Sequence, residues 1–63
     1  MFLAIHCPIP EDPFNGRALY TSVSFGSTVR YECRHQFSLV GNTTRICGAK
    51  KEWEGEAPIC KGL

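Results

Sequence analysis

Four cysteines and two histidines are the side chains with the most reactive chemistry in this 63-residue chain. The cysteines are widely spaced, at Cys7, Cys33, Cys47 and Cys60. Small zinc sites present ligands in close pairs, such as Cys-x-x-Cys, because one turn must supply two of them. No such pair occurs, and His6 and Cys7 would point to opposite sides of an extended chain. We therefore expect neither a metal nor a cofactor.

A nucleophilic cysteine activated by histidine is the catalytic chemistry that these residue types could support. Such a pair needs an oxyanion hole and a binding cleft, and the sequence supplies neither. A chain of 63 residues also lacks the volume for a deep catalytic cleft or a cofactor domain. We therefore expect that the chain is not an enzyme.

Disulfide bonds are the chemistry that the cysteines favour. Burying the apolar surface of so short a chain contributes about 90 kcal/mol, whereas ordering its residues costs about 95 kcal/mol. Cross-links are needed to make the folded state more stable than the unfolded state. Four cysteines can form two disulfides in any of three pairings. Disulfides persist in oxidising compartments, so the sequence predicts an extracellular location, either secreted or in an ectodomain.

The tripeptide that begins at Asn42 is an Asn-x-Thr acceptor for N-linked glycosylation. Gly41 precedes it and predicts a turn, in which such an acceptor would be accessible. We therefore predict a glycan on Asn42.

Basic side chains offer one candidate binding site, made of Arg30, Arg34, Lys50 and Lys51. Such a patch would suit an acidic protein or a glycosaminoglycan, but interspersed glutamates favour an ordinary mixed-charge surface. A net charge of +1 gives no field that would attract nucleic acid. The longest apolar run, residues 1–5, is far too short to enter a membrane as a spanning segment.

The elements that position these residues are short strands. Prolines at positions 8, 10 and 13 keep the opening segment extended, and Asn15 with Gly16 predicts a turn. Alternating apolar residues and turn signals then predict strands over 18–25, 28–33 and 43–47, and a short apolar piece at 37–40 leads into a turn at Gly41 and Asn42. The range 43–47 conflicts with its own alternation, because Arg45 would share the inward face with Cys47. We expect a bulge there or partial cover on both faces.

Trp53 is the largest apolar side chain in the sequence, and it lies in the polar segment that follows Cys47. In a core this small, we expect Trp53 to pack against the disulfides rather than form an exposed ligand platform. Together these features predict a small, all-β, disulfide-stapled antiparallel module.

The order of these residues resembles the complement control protein module, also called the sushi or short consensus repeat domain. The resemblance covers residues 7–60 and rests on Cys7-Pro8-x-Pro10, Asn15-Gly16, Gly26, Val29-x-Tyr31-x-Cys33, Phe37, Leu39, Gly41, Arg45-x-Cys47, Trp53 and Pro58-x-Cys60. It implies an elongated module with disulfides from Cys7 to Cys47 and from Cys33 to Cys60. Residues 1–6 and 61–63 would then be linkers to neighbouring modules of the same chain.

The resemblance also implies a function in protein recognition without catalysis. The leading expectation is a ligand-binding module of a larger receptor or regulator, with a complement component as a partner. Two alternatives are a spacer between other modules and an accessory module of a complement-type serine protease. Flanking sequence would separate them, since further modules favour the first two and a downstream protease domain favours the third.

Two positions depart from the family pattern. Family members usually carry glycine where Gln36 precedes Phe37, and glycine is also common where Glu52 precedes Trp53. At Gln36 the backbone must therefore avoid a positive φ angle or accept strain.

Overall fold

The computed structural model describes residues 4–62, and this range contains strands and no helix. The strands are β1 (Gly16–Leu19), β2 (Thr28–Cys33), β3 (Phe37–Val40), β4 (Thr44–Ile46) and β5 (Ile59–Gly62). The predicted all-β class is confirmed. The molecule is elongated. Its cross-section is 18 × 13 Å, and its length is more than twice its 18 Å width.

Two antiparallel sheets share the length of the module. One has the strand order β1-β2-β4, and the other pairs β3 with β5. The central strand β2 has the predicted bounds, and its alternation is regular, with Val29 and Tyr31 buried and their neighbours exposed. This period of two gives the three-stranded sheet one face toward the core and one toward solvent.

The core gathers at one end of the module around Trp53. This side chain is 6% exposed and clusters with Cys7, Val29, Tyr31 and Cys47. Its indole Nε1–H donates to the carbonyl of Pro8 over 2.8 Å, which satisfies the ring's only polar group. The predicted packing of Trp53 against a disulfide is observed for the bridge within this cluster.

That bridge joins Cys7 to Cys47, and a second bridge joins Cys33 to Cys60. This is the pairing that the family resemblance implies. The second disulfide connects the end of β2 to β5 and so ties the two sheets together. The described cysteines are all paired.

The strand predicted over 18–25 was wrong in its extent, because β1 occupies Gly16–Leu19. Leu19 pairs with Arg30 near the start of β2, and the chain leaves that strand after this pair. Hydroxyl contacts from Ser24 to Ser22 (2.9 Å) and to Ser27 (3.2 Å) hold the following bend. Apolar and polar residues continue to alternate in the sequence through this bend. The backbone pairing with β2 stops at Leu19, so the residues of the bend do not form a strand.

The conflict at Arg45 is resolved without a bulge. β4 alternates regularly, so Arg45 lies half-buried opposite Val29, and Ile46 faces outward with 42% of its surface exposed. Of the two expectations, the bulge is absent and the partial cover on both faces is observed. Arginine points inward here because its guanidinium finds acceptors, as described below.

Gln36 adopts a φ angle of 74°, so the backbone takes the left-handed conformation that glycine favours. Of the two outcomes expected at this departure from the family pattern, the strained one is observed. Glu52, the other departure, is exposed beside buried Trp53.

Backbone hydrogen bonding extends past the predicted module boundaries at 7 and 60. Lys61 and Gly62 lie within β5, and the carbonyl of Ile5 accepts from the amide of Phe25 at 2.8 Å. His6 forms an isolated bridge with Ser24. Of the other predicted linker residues, 1–3 and 63 lie outside the described range.

Candidate functional site

The solvent side of the three-stranded sheet forms a small surface, which we call the sheet face. Because Val29 and Tyr31 point into the core, their neighbours on β2 must point outward. Strand register then places residues of β1 and β4 beside them. The sheet face comprises Leu19, Thr28, Arg30, Thr44 and Ile46.

Arg30 occupies the centre of the sheet face. It pairs with Leu19 on one side and Thr44 on the other, and the next outward row pairs Thr28 with Ile46. Leu19 is 40% exposed, so the cation is flanked by accessible aliphatic surface. Arginine with apolar neighbours is typical of residues that dominate protein–protein binding energy.

The charge of Arg30 is not neutralised within the part of the chain that the structure describes. The ion pair found among residues 4–62 joins Arg17 Nε to Glu32 Oε1 at 2.6 Å, one row further along the same side of the sheet. This exposed pair satisfies both of its own charges. Arg30 is thus the cation of the sheet face, and it has no ion-pair partner among residues 4–62.

The sheet face rests on a backbone that Arg45 holds from the opposite side. Its Nη2 donates to the carbonyls of Trp53 and Gly55, both at 2.8 Å, and its Nε donates to the carbonyl of Glu54 at 3.2 Å. Its Nη1 donates to the hydroxyl of Tyr31 at 3.3 Å. A planar guanidinium satisfies several acceptors in fixed directions, so this residue fixes the loop after Trp53 against β2 and β4.

Sequence reasoning did not find this role of Arg45. The signal was present, since strict alternation placed an arginine on the inward face of a short strand. A charged side chain at such a position is stable only with partners, and the partners here are mostly backbone carbonyls that no sequence pattern reveals.

The four predicted basic residues lie in three places: Arg30 is on β2, Arg34 is just after it, and the two lysines are in a later turn. Arg34 follows β2 at the opposite end from the core cluster, where its amide donates to the carbonyl of Asn15. Four residue steps of about 3.3 Å each place its Cα about 13 Å from that of Arg30. Lys50 and Lys51 lie in the turn between Cys47 and Trp53.

Asn42 lies in the exposed connection between β3 and β4. Gly41 before it has a φ angle of 111°, which only glycine adopts readily, and the predicted turn is thereby explained. The side chain borders a shallow cleft that is considered below.

The described residues, 4–62, contain neither a cluster of metal ligands nor a membrane-spanning helix. No three histidine, cysteine, aspartate or glutamate side chains in this range come together as metal ligands would. The same range has no helix that is long and apolar enough to cross a membrane.

Residues 7–60 match the family model of the Sushi repeat (SCR repeat). The chain is 40% identical over 59 residues to "Sushi, von Willebrand factor type A, EGF and pentraxin domain-containing protein 1" of Rattus norvegicus, covering 94% of this chain and 2% of that protein. It is 38% identical over 60 residues to "Protein lev-9" of Caenorhabditis elegans, covering 95% and 10% respectively.

A viral protein is also similar. The "Complement control protein homolog" of Saimiriine herpesvirus 2 is 37% identical over 59 residues, covering 86% of this chain and 16% of that protein. The chain thus spans only a small fraction of the length of each of these relatives.

Proposed function

The chain belongs to the sushi repeat family, and on this basis we propose that it is a non-catalytic, extracellular protein-recognition module of a larger receptor or regulator. The family is one of non-enzymatic modules, and its members are typically secreted or lie in ectodomains. Two disulfides in so small a domain agree with that compartment. The similarity to a complement control protein homolog supports a complement component as the partner class.

The observation that carries the proposal is the position of Arg30 on the sheet face. An unneutralised cation with aliphatic flanks is held on the central strand, whose other side is locked into the core. Because the backbone beneath it is already ordered, little conformational entropy is lost when a partner binds. The site fits a partner segment that presents a carboxylate between apolar side chains.

The size of the sheet face indicates that the module does not act alone. Strands of four, six and three residues, at about 3.4 Å per residue and about 4.8 Å apart, give roughly 210 Å². A standard protein interface buries about 800 Å² on each partner. Contact must therefore spread to the turns of this module or to neighbouring modules, whose linkage raises the effective local concentration of each weak site.

The test compares two charge reversals in the longer protein that carries this module. Arg30→Glu removes the central cation of the sheet face, and Arg34→Glu makes the same change at the other end of β2 as the matched control. Binding to complement proteins deposited on an activated surface is measured by surface plasmon resonance. We expect Arg30→Glu to weaken binding at least tenfold and Arg34→Glu to change it less than twofold.

Two results would contradict the proposal. Equal effects of both variants would show that only overall charge matters. If neither variant affected binding while deletion of the module abolished it, the module would be a spacer.

A further inference from the structure

We propose that the cleft beside Asn42 holds the first sugar of an N-linked glycan, an N-acetylglucosamine attached to Asn42 itself. The cleft has a volume of about 330 Å³. Its lining residues, which define the Asn42 cleft, are Val40, Gly41, Asn42, Glu56, Ala57 and Ile59. This proposal assigns both a modification and the surface that the modification covers.

The acceptor atom lies at the edge of the Asn42 cleft. A Cβ atom placed on Gly55 would be 3.5 Å from Asn42 Nδ2, so the amide nitrogen is directed toward the segment that leads into Glu56 and Ala57. Asn42 is exposed, and glycine at position 55 leaves space beside its amide. A sugar attached at Nδ2 therefore begins next to the cleft.

The surface of the Asn42 cleft suits an amphipathic sugar. Val40 and Ile59 are cross-strand partners of β3 and β5, yet they are 47% and 60% exposed. Such a pair normally contributes to stability by burying its two side chains against a common cover. The C–H face and acetyl methyl of the sugar would provide that cover, and the carboxylate of Glu56 would accept a hydrogen bond from a sugar hydroxyl.

The modification requires a lipid-linked oligosaccharide diphosphate as the donor, together with a transferase. The bond between the anomeric carbon and the diphosphate oxygen breaks, and a bond from that carbon to Asn42 Nδ2 forms. The amide loses one proton to a base of the transferase, and the lipid diphosphate leaves. Thr44 supplies the hydroxyl that defines the acceptor tripeptide.

The experiment compares two forms of the same sequence. One is secreted from a eukaryotic cell that adds high-mannose glycans and is trimmed by endoglycosidase H to a single N-acetylglucosamine. The other is produced in bacteria and oxidatively refolded, so it has no sugar. We expect the one-sugar form to melt at least 3 °C higher and to show nuclear Overhauser contacts between the acetyl methyl group and Ile59.

Two matched variants test whether the sugar stabilises the module by covering the Asn42 cleft or by an effect that does not depend on the cleft. Ile59→Ser removes the apolar surface beneath the sugar, whereas Ile9→Ser replaces another isoleucine that is 65% exposed and lies outside the Asn42 cleft. The difference in melting temperature between the two forms should disappear in the first variant and remain in the second.

Three outcomes would overturn the proposal. Asn42 could be unoccupied in the secreted protein, or the one-sugar form could melt at the same temperature without contacts to Ile59. Concentration-dependent self-association of the sugar-free form, abolished by Ile59→Ser, would instead show that a second copy covers the cleft. None of these results depends on partner binding, so they leave the proposed recognition function untouched.

Discussion

Arg45 shows how one inward-facing cation organises a core too small to enclose it. Its guanidinium donates to three backbone carbonyls and one hydroxyl, and these acceptors belong to the loop after Trp53 and to β2. Hydrogen bonds from a charged donor contribute more than neutral ones, and acceptors left unpaired in a partly buried position carry a desolvation cost. This side chain thus links loop and sheet where apolar contacts are few.

Replacing Arg45 by methionine tests this interpretation, because methionine keeps the aliphatic stem and removes every donor. We expect Arg45→Met to lower the free energy of unfolding by about 2 kcal/mol, measured by urea titration of tryptophan fluorescence. Arg17→Met is the control, since it removes an exposed ion pair with Glu32 and should cost less than about 1 kcal/mol. Equal losses for the two variants would rule out the organising role.

At the scale of elements, the contact between β1 and β2 depends on Gly16. A Cβ atom at this position would lie 2.5 Å from the carbonyl oxygen of Glu32 and 2.6 Å from Cys60 Sγ. Glycine therefore lets the start of β1 approach both its partner strand and the second disulfide. The ladder pair of Gly16 with Cys33 requires the absence of a side chain at position 16.

We predict that Gly16→Ala costs about 2 to 3 kcal/mol, because the added methyl group displaces backbone as well as the disulfide. Amide hydrogen exchange should accelerate first along β1 and its partner residues on β2. Gly26→Ala is the control, since its Cβ would meet nothing within 4 Å although its φ angle of 86° is strained. Exchange along β1 that is equally fast in both variants would show that the close approach at Gly16 has no special role.

The elements also show how far sequence reasoning reaches. β2 was predicted with the bounds observed, because it has regular alternation and a turn signal before it, and the short apolar piece noted at 37–40 coincides with β3. The bounds of β1 were not predicted, because a strand ends where its backbone pairing with the partner strand ends. The position of that end depends on the register of the two strands. The sheet face was missed for the same reason, since Leu19, Arg30 and Ile46 become neighbours only through pairing. The hydrogen bonds of Arg45 could not be predicted, because every residue has a backbone carbonyl and the sequence does not show which carbonyls lie near its guanidinium.

At the scale of the whole molecule, the two disulfides have different surroundings. Cys7 and Cys47 are 5% and 1% exposed and belong to the core cluster with Trp53. Cys33 and Cys60 are half-buried and join the two sheets beyond that cluster. The sequence separations of 40 and 27 residues give similar loop-closure contributions, about 3.5 to 4 kcal/mol for each bridge. Chain entropy therefore predicts similar stabilisation from the two bridges. Any difference between them must come from the packing around each bridge.

The paired replacement Cys7→Ala with Cys47→Ala should consequently be more damaging than Cys33→Ala with Cys60→Ala. The first removes a bridge and also leaves a cavity against Trp53 and Val29, which adds about 1 to 2 kcal/mol to the loss. A domain of this size has only about 3 to 5 kcal/mol from its core, so the first variant should show no cooperative melting. The second should keep a broadened transition at lower temperature. Near-ultraviolet circular dichroism of Trp53 distinguishes these results, and the reverse order of stability would show that the cluster around Trp53 does not hold the module together.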